Sequence, residues 1–90
     1  LVSWLHADVV MLFSGLVVAT LVAVLLTAQS RQVRRAWWTV LAVTAAQGVI
    51  GYAQYFTGLP GVLVALHMLG ASLLVAALAW GVLSLRRLPV

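Results

Sequence analysis

Residues 60–85 read PGVLVALHMLGASLLVAALAWGVLSL, an apolar run broken by a single imidazole, His67, and by no formally charged side chain. At ~1.5 Å rise per residue it exceeds the roughly 20 residues that a helix needs to cross a ~30 Å hydrocarbon core. An unpaired backbone amide in lipid costs several kcal/mol, so a run of this kind is read as a helix. Two comparable runs precede it, from about Ser3 to Ala28 and from about Ala36 to Phe56. Gln29 to Arg35 separates the first two as a polar link holding three arginines. Thr57-Gly58-Leu59-Pro60-Gly61 separates the last two as a tight turn, in which Pro60 suits the first turn of the following helix. The expectation is an all-α, polytopic membrane protein: a single unit of three antiparallel transmembrane helices at about 3–28, 36–56 and 60–85.

Composition excludes the other broad classes. The chain is 66% hydrophobic, with Asp8 and five arginines as its only formally charged side chains, which is far from a soluble globular domain. It has no cysteine, so it can build neither a disulfide nor a thiolate metal site. The net charge of +4 does not mark a nucleic-acid surface, because Arg31, Arg34 and Arg35 form one short cluster and Arg86 with Arg87 another. With three crossings both clusters fall on one face, and the opposite face carries only Asp8. The positive-inside rule makes the arginine face cytoplasmic and puts Leu1 outside. The chain opens on leucine without a basic signal-peptide region, so an upstream portion that carried it across the membrane is expected.

His6 and His67 are the only histidines, and ionisable or metal-binding groups inside membrane segments are functional candidates by default. Measured up from the cytoplasmic edge at ~1.5 Å per residue, they lie roughly 34 and 28 Å away, a difference within the spread that helix tilt produces. Either one alone is accounted for by a local hydrogen bond to a carbonyl or water. Two at matched depth on the first and third helices, without a carboxylate or thiolate companion, point to a shared ligand. A tetrahedral zinc site takes three or four protein ligands, and no Glu or Cys is present to complete one. Haem iron needs only one or two axial ligands and suits a dry slot between helices. Gly48, Gly51, Gly70 and Ala71 lower side-chain bulk where a flat ring would lie, and close helix packing, as in Gly61-x-x-x-Ala65, explains such residues equally well.

The segments Gln47-Gly48-Val49-Ile50-Gly51, Leu59-Pro60, Leu63-Val64-Ala65-Leu66-His67 and Ala71-Ser72-Leu73-Leu74 follow one another in an order that resembles the bacterial haem A synthase family. There a QGxxG segment, an LP turn and an LVxxH helix occur in this sequence, and Leu5-His6-Ala7 resembles the family's other histidine of the same half. The resemblance spans nearly the whole chain. It implies an eight-helix protein of two similar four-helix halves, which oxidises the C8 methyl of haem O to the formyl of haem A for cytochrome oxidase assembly. This chain would supply helices six to eight, forming part of a four-helix haem-binding bundle in the bacterial plasma membrane. His6 and His67 would be the axial ligands of a haem b cofactor, with the missing N-terminal helices, the lipid bilayer and haem O synthase as partners. The family's catalytic glutamate belongs to the other half, and no glutamate occurs here. No catalytic residue is therefore assigned, and the piece alone is expected to be inactive. A non-enzymatic, cytochrome b-like electron-transfer module would use the same two histidines, and a structural or transport segment would use neither.

Weaker readings attach to the remaining polar and aromatic residues. Trp4, Tyr52, Tyr55 and Phe56 suit an outer aromatic belt, and Trp37, Trp38 and Trp80 an inner one. Gln47 or Gln54 has a haem propionate or a neighbouring backbone group as partner, the second being commoner in membrane bundles. Asp8 reads as a solvated residue favouring the start of the first helix, with a proton-path role as the alternative.

Overall fold

The computed structural model describes residues 2–58 and 60–86, which form three helices: α1 (Val2–Leu26), α2 (Arg31–Phe56) and α3 (Gly61–Ser84). Leu1, Leu59 of the second turn and Arg87 of the basic tail lie outside the described residues. Helix α2 begins at Arg31, within the stretch that the sequence pattern assigns to the link. The cause is Ser30, whose extended backbone (φ −67°, ψ 162°) places its hydroxyl to accept from Val33 N at 3.3 Å. This N-cap satisfies one of the first unpaired amides, and arginine is a good helix former. The three arginines of the link therefore lie on the opening turns of α2. At the other end the Thr57 amide donates to Ala53 O at 3.1 Å, and Gly58 adopts φ +80°, the left-handed conformation that stops a helix without a Cβ clash. Pro60 then caps α3, its carbonyl accepting from Val64 N at 3.1 Å.

Helix α2 packs against both α1 and α3, while no Cα of α1 comes within 8 Å of one of α3. The core is a seam at helical spacing: Val17, Leu21 and Val24 of α1, Val33, Trp37 and Val40 of α2, and Ala77 of α3. Gly81 lets α3 approach Trp37 closely, since a Cβ there would sit 3.1 Å from the indole ring. Trp37 is thus a core residue, 4% exposed, and not a member of an interfacial belt. Its indole Nε1 is buried without a hydrogen-bond partner among the described residues. All of this packing lies towards the arginine end. From residue 2 to residue 12 every residue of α1 is exposed.

By length and composition α1 and α3 can each cross a membrane; α2, with 26 residues, is as long but less apolar. Helix α2 carries Arg31, Gln32, Arg34, Arg35, Gln47 and Gln54, and it has an apolar helix on either side. Exposed Leu5, Met11, Leu12 and Leu16 on α1, and Val62, Met68, Leu69 and Val75 on α3, form far more apolar surface than a soluble monomer leaves bare. This is consistent with a membrane protein, whose solvent along these faces is lipid.

Candidate functional site around His67

The seam between α2 and α3 brings together residues from two of the motifs quoted above. Gln47 and Gly51, four residues apart, share one face of α2, and His67 and Gly70 face them from α3. The His67 ring lies against Gly51: a Cβ at that glycine would meet Cε1 at 3.5 Å and Nδ1 at 4.0 Å. One turn away Gln47 Nε2 donates to His67 O at 3.0 Å. The Gln47 amide occupies the space that Gly70 leaves, for a Cβ there would overlap Gln47 Oε1 and come within 2.7 Å of Cδ. Gly51 and Gly70 therefore accommodate side chains of this chain, which is the close-packing role. Gly48 has no neighbour within 4 Å of its would-be Cβ. Of the two partners open to Gln47, the structure has the backbone group.

Two polar atoms in this seam lack partners among the described residues. His67 Nδ1 and Gln47 Oε1 are both buried without a hydrogen bond. Leaving such a group unpaired costs about 1–3 kcal/mol. Beside them runs a groove of about 240 Å³, walled by Ile50, Leu66, Leu69 and Leu73 and bordered by Gln47 and Gly70. That is smaller than the ~300 Å³ at which ordinary ligand pockets begin. The seam alone is too narrow for a macrocycle.

His6 lies elsewhere, on the exposed first part of α1, a helix whose Cα atoms all stay more than 8 Å from those of α3, which carries His67. The donor set suits haem iron: two imidazoles, with Asp8 the only carboxylate and no thiolate. His67 is half-buried with Nδ1 turned to Gly51, and Nε2 is not among the buried, unpaired atoms. One unfavourable feature accompanies this fit. A metal-bound histidine ordinarily donates its other N–H to an acceptor, and His67 Nδ1 has none among the described residues. Asp8 is exposed and lies beyond the first turn of α1, which contains no acidic residue, so it does not serve the helix N-terminus. No family model, curated protein or solved structure matches the chain.

A backbone group of a neighbouring helix is one of the partners the sequence offers Gln47, but that it is His67 O, twenty residues away, has no signal in the sequence. The cavity lined by Arg31, Gln32, Arg35 and Trp80 has none either.

Proposed function

We propose that the chain is the cofactor-binding, C-terminal part of a haem A synthase, an oxidoreductase of the bacterial plasma membrane that converts haem O to haem A. The observation that carries this reading is the meeting of the two motif segments. Gln47 and Gly51 of the QGxxG segment contact His67 of the LVxxH segment and Gly70 just beyond it. The two segments are separate along the chain, and the fold makes them neighbours. Three antiparallel crossings, with the amino end of α1 outside, complete the proposal. They are supported by the contacts of α2, which meets His67 through Gly51 and meets Gly81 through Trp37, so that progress along one helix is matched by retreat along the other.

In this reading His6 and His67 would hold haem b, and the haem would supply one-electron transfer. The chain's own contribution is positional. Gln47 ties the backbone of His67 to α2, Gly51 gives the imidazole a flat bed, and the surrounding leucines and Ile50 exclude water. Removing protons and electrons from a methyl group needs further acid–base groups beside the substrate. With Asp8 as the only carboxylate, that work falls to helices beyond these 90 residues. Haem O, the haem O synthase that makes it, and the bilayer are the corresponding partners.

The test is haem A production by the full-length protein in a host lacking its own haem A synthase, measured in extracted pigments, with His67→Ala alongside. Haem A from the wild-type protein and a large loss in the variant support the proposal. Absence of haem A, with a two-histidine haem spectrum retained, would leave the electron-transfer module instead.

A further inference from the structure

Arg31 and Arg35 stand four residues apart on the opening turns of α2, so their side chains share a face. Across from them, near the end of α3, is Trp80, and together with Gln32 these residues line an open cavity of about 490 Å³. This is about twice the volume of the groove beside His67, and within the range of ordinary ligand sites. The α3 backbone beside Trp80 is held against α2, because Trp37 and Val40 lie 3.1–3.3 Å from the would-be Cβ of Gly81, the next residue.

Among the described residues the charge in this cavity has no counterpart. Asp8, the only acidic side chain, is on the exposed first part of α1, away from the Arg-rich end, and the described residues contain no ion pair. Nor does any described guanidinium donate a hydrogen bond within the chain. Two forked donors on one face match the oxygens of a phosphate. The α2 N-terminus adds its positive end of the helix dipole, and Trp80, 39% exposed, has the amphipathic ring that settles at headgroup level.

We propose that this cavity binds the headgroup of an anionic phospholipid of the phosphatidylglycerol type. Arg31 and Arg35 hold the phosphate, Gln32 donates to the glycerol or phosphate oxygens, and Trp80 lies along the root of the acyl chains. Basic pockets between membrane helices are suited to such headgroups. A lipid is favoured over free phosphate because Trp80, which lines the cavity, belongs to an apolar helix long enough to cross a membrane. The inference does not depend on the haem reading.

Spin-labelled phosphatidylglycerol and phosphatidylcholine, added to phosphatidylcholine vesicles holding the full-length protein, report association as the motionally restricted fraction of the electron paramagnetic resonance spectrum. The wild-type protein should prefer phosphatidylglycerol, and Arg31→Gln and Arg35→Gln should each lower that preference about fivefold, the equivalent of about 1 kcal/mol per basic residue at a membrane surface. Arg34→Gln removes the same charge from the same helix end but from outside the cavity, and should lower the preference by less than about twofold. All three arginines are exposed and outside the core, so the variants keep the fold. An equal loss in Arg34→Gln would reduce the effect to general surface charge and overturn the site. So would the absence of any preference in the wild-type protein. Displacement of the labelled lipid by inorganic phosphate would assign the cavity to a free anion and overturn the lipid.

Discussion

Replacing Gly70 with alanine tests the seam that holds His67. The new Cβ would overlap Gln47 Oε1, but that atom is the far end of a flexible side chain, so the amide swings away and the helices need not separate. The swing breaks the 3.0 Å bond from Gln47 Nε2 to His67 O. Interhelical hydrogen bonds in membrane proteins are worth about 0.6 kcal/mol on average and reach about 1.7. Against this, Gly→Ala in a helix gains up to about 1 kcal/mol. The single substitution is therefore close to neutral, and its stability alone decides nothing. The informative quantity is the coupling in a double-mutant cycle with Gln47→Ala. Gly70→Ala should be more favourable by about 1 kcal/mol when Gln47 is already absent, because the clash and the broken bond are then gone. Reversible unfolding of the four proteins in mixed micelles measures this difference. Zero coupling would refute the contact between Gln47 and α3.

Gly81→Ala presents the opposite case, since its neighbours, Trp37 and Val40, are buried core residues that cannot swing aside. It should lose about 1–3 kcal/mol by overpacking, whereas Gly48→Ala, with open space around it, should lose nothing; thermal unfolding of both variants checks the contrast. Single cysteines at Gln29 and Thr57, in the two turns on opposite sides of the bundle, should label differently in intact cells. An impermeant thiol reagent should reach Thr57→Cys and not Gln29→Cys, and the reverse pattern would invert the orientation.

Hydropathy made the helices legible because lipid solvation imposes one simple condition, a long apolar run, that α1 and α3 meet directly. It misplaced the start of α2 because that start obeys a different condition. Ser30 and Arg31 lie where hydrogen-bond capping and helix propensity decide, and Ala36 marks only where apolar composition resumes. Tryptophan was ambiguous for a similar reason: Trp37 and Trp38 have the same composition cue, yet one is buried at 4% exposure and its neighbour is 51% exposed. Which face a residue takes follows from packing, here from the gap that Gly81 leaves. His67 was legible as a candidate because an imidazole stands out in hydrocarbon. Its contacts with Gly51 and Gln47 were not, since they require the registration of α3 on α2. For His6 the structure offers no Cα neighbour in α3, and residues 2–12 of α1 are all exposed.

The central claim, that His6 and His67 together ligate one haem, is tested most directly by the low-spin electron paramagnetic resonance spectrum of the oxidised full-length protein and of two variants, His6→Ala and His67→Ala. Two axial imidazoles give a low-spin ferric signal, and loss of either should abolish that signal from the same haem and shift it to high spin or empty the site. Unchanged low-spin haem in either variant would contradict the assignment.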